Sequence, residues 1–195
     1  MSTRVAVVGD ELAAGVGDPR GMGWVGRVIG RTTTPEPLQV YTLAVPGETS
    51  TQLSARWETE CNRRFGGSDD RLVVALGSSD LDHGVSLARS RLNLANILDD
   101  AASRHVPTFV VGPPPRPGVD EGLLAELTRA FADVCQRRRV PYAETFEPLH
   151  NHEQWLADVA AGDGRHPAQA GYGLLAWLVL HNGWYDWIGS DQLDS

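Results

Sequence analysis

A few residues of this chain could do chemistry because of where they stand. Asp10 and Glu11 close an apolar run at residues 4–8, and Asp80 closes another after Gly77, Ser78 and Ser79. Asp163 and His166 stand three apart, just ahead of an alanine- and leucine-rich stretch. A carboxylate at a strand end can act as a general base on water, or attack an acyl carbon to give an acyl anhydride. Asp10, Glu11, Asp80 and His166, if gathered, would also suit Mg²⁺ or Mn²⁺, which favour oxygen-rich donor sets. The favoured alternative has Asp10 and Asp80 making turn hydrogen bonds, as Asp after a strand commonly does. His150 and His152 could share a metal at their spacing, but an exposed polar loop is the preferred reading. Ser50, Ser78 and Ser79 are hydroxyls on loops of the same kind, where local turn bonding is their usual use.

Composition removes several classes of function. All 17 basic side chains are arginine, and lysine is absent. Arginine keeps its proton near neutral pH, so Schiff-base chemistry and a P-loop lysine are excluded. Gly9, Gly15 and Gly17 are not in the dinucleotide-binding order. The net charge of −8 repels phosphate backbones and anionic lipid heads, so neither nucleic acid nor a membrane surface is an expected partner. The densest basic run, Arg137 to Arg139, reads as the solvated end of a helix. Cys61 and Cys135 stand alone on amphipathic stretches and read as small buried hydrophobes. The start of the chain runs straight into a strand without an apolar signal core, and no segment is long enough to span a bilayer. A cytoplasmic location is the expectation.

The elements that must position these residues alternate. β-Branched or apolar runs predict strands over 4–8, 38–43, 72–76, 108–111 and 141–143. Between them, Leu53, Trp57, Cys61 and Phe65 recur every four residues, and Leu94, Leu98 and Ala101 mark a second helical stripe. The cleanest stripe runs through Leu124, Leu127, Phe131, Val134 and Cys135. A shorter helix is predicted over 24–31 and a last one over 168–181. Alternating strand and helix with right-handed crossovers implies a doubly wound parallel sheet of about five strands, a three-layer α/β/α sandwich of flavodoxin-like type. The expected organisation is one domain over 1–181 and an aromatic tail over 182–195. Trp184, Tyr185 and Trp187 in that tail could line a pocket, but capping the sheet edge or a dimer contact is preferred. Ligands in such sheets bind beyond the carboxyl ends of the strands. That directs attention to residues 9–12, 44–50, 77–80 and 112–115, with 163–167 closing over the same edge.

Those segments resemble the SGNH (GDSL-type) hydrolase family. Where that family has Gly-Asp-Ser-Leu after the first strand, this chain has Gly9-Asp10-Glu11-Leu12. Its second block resembles Ala44 to Thr49, with Gly47 as the glycine. For Gly-x-Asn-Asp the chain has Gly77-Ser78-Ser79-Asp80, and for Asp-x-x-His-Pro it has Asp163-Gly164-Arg165-His166-Pro167. Block order and spacing hold over about residues 4–181. The resemblance implies the SGNH hydrolase fold, hydrolysis of carboxylic esters or acylated sugars, no cofactor and no metal. It also implies roles: Asp163 orients His166, which acts as base on a nucleophile, and Gly47 and the residue at Ser79 donate to the oxyanion. Asp10 and Asp80 would support the site. The departure is Glu11 at the nucleophile's position and Ser79 in place of asparagine.

At the start of a helix, Glu11 would meet free N–H groups and the positive end of the helix dipole. The expected arrangement is an ion-paired Glu11–His166–Asp163 array, with a Glu11 oxygen folded toward Gly47 N–H and the Ser79 hydroxyl. Three readings follow: a hydrolase using the carboxylate, a hydrolase relative that has lost catalysis and binds ligand, and, less favoured, a metal-dependent hydrolase. A homodimer is a possible assembly.

Overall fold

The computed structural model describes residues 2–190. Five strands, β1 (Arg4–Gly9), β2 (Gln39–Ala44), β3 (Asp70–Ala75), β4 (Thr108–Val111) and β5 (Tyr142–Ala143), form one parallel sheet in the order β2-β1-β3-β4-β5. Their register sets the site. Gly9 lies beside Ala44 and Ala75, Ala75 beside Val111, and Val111 beside Ala143. All five strands therefore end on one row, and their following loops emerge side by side. The sheet reverses direction of growth at β1, between β2 and β3, which is where such sheets open a crevice.

Alternation along each strand divides the core. Val5, Val7, Val73, Ala75, Phe109 and Val111 face one layer, and Ala6, Val8, Leu72, Val74 and Val110 face the other. The first layer holds α2 (Gly23–Ile29), α8 (Glu153–Ala161) and α9 (Gln169–Val179). The second holds α3 (Ser50–Asn62), α5 (Leu87–Ser103) and α6 (Glu121–Arg138). Short helices α1 (Glu11–Ala14), α4 (Ser79–Asp82) and α7 (Phe146–Leu149) follow β1, β3 and β5 directly. This is the α/β/α sandwich that the alternation of elements predicts. Cys61 and Cys135 are free and buried. No described helix is long and apolar enough to cross a membrane.

One expectation needs correction: His150 and His152 lie in the short turn between α7 and α8, as a loop reading requires, but neither is exposed. His150 is partly buried and stacks on Phe146 with ring centroids 5.0 Å apart. His152 caps α8, its Nδ1 accepting from Trp155 N at 3.4 Å. Neither helix announces itself: α7 has only four residues with a proline inside, and histidine is not a usual cap residue. The last helix ends where the sequence predicts: helical backbone runs from α9 to His181 and stops at Asn182. Leu180–Trp184 kinks at Asn182 and Gly183 and leads into α10 (Tyr185–Ile188). Trp184 and Trp187 pack on Phe109 with centroids 5.6 and 5.5 Å away, and Trp184 Nε1 donates to Thr32 Oγ1 at 2.9 Å. Arg71 lies 5.5 Å over the Trp187 ring and donates to its carbonyl. These contacts lie toward the amino ends of β3 and β4, away from the row of strand ends. The tail beyond residue 190 lies outside the described residues.

Candidate active site

The turn after β1 is built around a buried carboxyl. Asp10 caps α1, its Oδ1 accepting from Leu12 N at 3.0 Å, and is 3% exposed. Its other oxygen lies against Gly77 at the end of β3, where a Cβ would stand 1.9 Å from Oδ2, so no side chain fits there. Burial pushes the Asp10 carboxyl up to about 7, and the neighbouring Glu11 carboxylate adds to this; the Leu12 N–H and Arg116 oppose it.

Glu11, the first residue of α1, is buried and turned across the strand ends. Gly47 N–H, from the loop after β2, donates to Oε2 at 2.6 Å. Oε1 lies 3.5 Å from an Arg165 guanidinium nitrogen and 3.6 Å from His166 Nε2. The His166 contact is an ion-pair distance, longer than a hydrogen bond. Burial works against the charge on Glu11. The Gly47 N–H, its own N–H, His166 and Arg165 outweigh burial and hold the carboxyl below its usual range.

His166 is fixed from behind. Its Nδ1 stands 2.6 Å from Asp163 Oδ2, and Asp163 Oδ1 accepts from His166 N at 2.7 Å and Arg165 N at 2.8 Å. The imidazole contact and these backbone donors hold Asp163 well below the usual carboxylate range. An ionised carboxylate only accepts, so Nδ1 carries the proton toward Asp163 and Nε2 faces Glu11.

Gly47 is aimed by its surroundings. It sits at φ +69°, the left-handed region that glycine enters freely. Glu48 beside it is buried against Arg56, which donates to Glu48 and, at 2.7 Å, to Leu43 O. Burial pushes Glu48 upward, and Arg56 resists this. Thr49 and Gln52 form a reciprocal cap on α3. Asp80 then grips the same helix end, accepting from Ser50 N at 2.7 Å, Ser50 Oγ at 2.6 Å and Ser90 Oγ at 2.5 Å.

The structure thus brings Glu11, Gly47, Asp163 and His166 together, with Asp10 beneath. Asp80 is elsewhere: its oxygens serve α3 and α5, and its contacts cross between elements instead of closing a local turn. Ser50 is occupied by Asp80 and Asn93, so it does not meet His166. Ser78 and Ser79 line a cavity of about 20 Å³ with Glu11, Arg116, Trp155 and His166. Among the described residues Ser79 makes no hydrogen bond to Glu11, so the expected second donor is missing. The cavity has room for about one water molecule. No group of three or more His, Cys, Asp or Glu among the described residues could hold a metal. Arg165, Arg116 and Trp155 were not singled out from sequence. Arg165 carried a signal, since it lies inside the Asp163–His166 block.

Chemically, the arrangement presents a charged carboxylate, one oxyanion-type N–H already engaged by it, and an oriented imidazole. Residues 7–174 match the GDSL-like lipase/acylhydrolase family. Among solved structures, the lipase/acylhydrolase from Enterococcus faecalis is similar at 20% identity, TM-score 0.78, covering 99% of this chain and 100% of that one. The acetylxylan esterase Axe2 from Geobacillus stearothermophilus is similar at 18% identity, TM-score 0.77, covering 99% and 97%. The psychrotrophic esterase EstA from Pseudoalteromonas sp. is similar at 16% identity, TM-score 0.72, covering 96% and 100%. Comparison with curated proteins gives no match. The family match covers most of the chain, and the fold agrees along its whole length: this chain belongs to the GDSL-like lipase/acylhydrolase family.

Proposed function

We propose that this family member binds a small carboxylic ester or acylated sugar at the strand-end site without running the serine reaction. The observation that carries this is the 2.6 Å hydrogen bond from Gly47 N–H to Glu11 Oε2. In the family reaction a hydroxyl attacks and an N–H of this kind receives the oxyanion. Here a carboxylate stands in the hydroxyl's place and takes the N–H for itself. A carboxylate held below its usual range is also a weaker base and a weaker nucleophile. With Ser79 in place of asparagine a further donor is lost, and one such donor is worth roughly 10²–10³ in rate.

A second reading keeps Glu11 catalytic, as a general base on water. It is favoured by the Asp163–His166 pair, whose 2.6 Å contact retains an oriented imidazole that a silent site would not need.

One assay separates the two. On a short-chain nitrophenyl ester, wild type is expected to be inactive and Glu11→Ser to gain turnover. Wild-type hydrolysis that disappears in Glu11→Gln would replace the first reading with the second. Wild-type hydrolysis that survives Glu11→Gln would defeat both and direct the search to Ser78 and Ser79.

A further inference from the structure

The two edges of the sheet are finished differently. β5 has only two residues and follows Pro141, and a strand so short with a proline at its start resists further pairing. β2 runs for six residues, Gln39–Ala44, and pairs with β1 alone. None of its residues is buried, whereas β1 and β3 are buried over most of their length. Gln39 N donates to Thr3 O and Val45 N to Gly9 O, both at 2.9 Å, so the backbone groups of Gln39, Tyr41 and Leu43 turn toward β1. Those of Val40, Thr42 and Ala44 therefore turn outward, and among the described residues their N–H and C=O groups have no partner. Such an edge is ordinarily blunted by a charge, a proline or a bulge. β2 has none of these: all its side chains are uncharged, its register with β1 is unbroken, and Pro35 and Pro37 stand ahead of it.

We propose that β2 is a self-association edge, pairing antiparallel with β2 of a second copy about a twofold axis at Thr42, so that two five-stranded sheets become one. A twofold contact sets the same edge against itself in the opposite direction. Outward-facing residues must meet as hydrogen-bonded pairs. Only the register centred on Thr42 gives every outward N–H a carbonyl: Thr42 faces Thr42 of the second copy, and Val40 faces its Ala44. The side chains agree with this register. Val40 and Ala44 both pack on the α2 and α9 side of the sheet and meet there. Leu43 packs on the α3 side, where Tyr41 of the second copy comes against it. Cross-strand Thr–Thr pairs are favourable, and like charges directly opposite are not. An isologous contact brings each charge close to its own copy, and a strand without charge is one that tolerates this, which is why the occupant is a second copy of this chain. One strand from each side makes a small contact, of the weak, concentration-dependent kind. The pairing ends beside the loop that presents Gly47 N–H to Glu11.

The test is sedimentation velocity of the full chain from low micromolar to several hundred micromolar concentration. Wild type should pass from monomer to dimer across that range. Thr42 is exposed, so Thr42→Glu and Thr42→Arg should fold with unchanged circular dichroism. Each alone sets like charges opposite one another on the axis and should weaken dimerisation about fivefold or more. Mixed in equal amounts the two should restore it, because this register places one against the other. Thr42→Pro removes the central N–H on the open side of an edge strand, where proline is tolerated, and should abolish the dimer. A wild type that stays monomeric throughout, a dimer indifferent to both Thr42→Glu and Thr42→Pro, or a mixture no more associated than its components would each overturn the proposal. Glu11 takes no part in these readouts, so they and the ester assay stand or fall separately.

Discussion

Two adjacent carboxyls at the end of β1 are driven in opposite directions. Asp10 is raised to about 7 by burial and by Glu11, whereas Glu11, despite its burial, is held low by the Gly47 N–H, its own N–H, His166 and the Arg165 charge. For Asp10 the consequence for stability has a definite sign. Between its ordinary value of 3.8 and about 7, the folded chain keeps a proton that the unfolded chain has released. The Asp10 contribution is fully present below that window and is lost as pH rises through it. Asn at this position can still cap α1 but cannot ionise. Asp10→Asn should therefore flatten the decline in urea midpoint between about pH 4 and pH 7, and raise stability at pH 8 relative to wild type. A decline of unchanged slope would mean that Asp10 does not hold its proton. Glu11 works the other way, its stabilisation fading as acid protonates it, so a Glu11→Gln chain should lose less stability on acidification.

At the scale of elements, the site depends on loops held by buried ion pairs. Asp18, in the turn after α1, takes Arg27 of α2 and accepts from Gly23 N at 2.9 Å; Arg27 lowers it to about 2. The same turn carries Gly17, whose Cα backs onto His166. Asp18→Ala should cost about 3–5 kcal/mol in denaturant unfolding, the usual result of stranding one buried charge, and should loosen His166. A cost under ~1 kcal/mol would show that the pair is solvated and structurally idle. Much of this scale was legible in the residues. The runs at 72–76 and 108–111 were apolar enough to read as buried strands, those at 4–8 and 38–43 read as strands, and the blocks after them gave the meeting of Glu11 with His166. What was not legible lay in residues 146–161. A four-residue helix with a proline has no period to read, and α8 offers only a nine-residue signal, Trp155 and Val159 four apart with Gly162 at its end, behind a histidine cap, so the place of Trp155 beside the site was hidden. Asp80 misled for another reason: its place just after β3, in α4, was visible as a strand end, but its partners Ser50 and Ser90 are 30 and 10 residues away, and sequence does not report which neighbouring element a carboxylate takes.

At the scale of the molecule, the sheet has a chemical end and a structural end. The carboxyl ends of the strands carry the site, and the opposite end is covered by the aromatic residues after the kink at Asn182 and Gly183. We propose that residues 182–190 are an integral part of the domain. Trp184 is 1% exposed, so Trp184→Ala should cost about 3–5 kcal/mol, with thermal unfolding remaining a single cooperative transition. A small cost with a separate early transition would make this segment an appendage. The carboxylate at the end of β1 has a consequence for how such a protein is found. Fluorophosphonate reagents tag hydrolases by phosphonylating an activated hydroxyl, and Glu11 offers none. On the proposed reading, a proteome surveyed with those reagents is expected to leave this chain untagged, and the Glu11→Ser chain is expected to take the label.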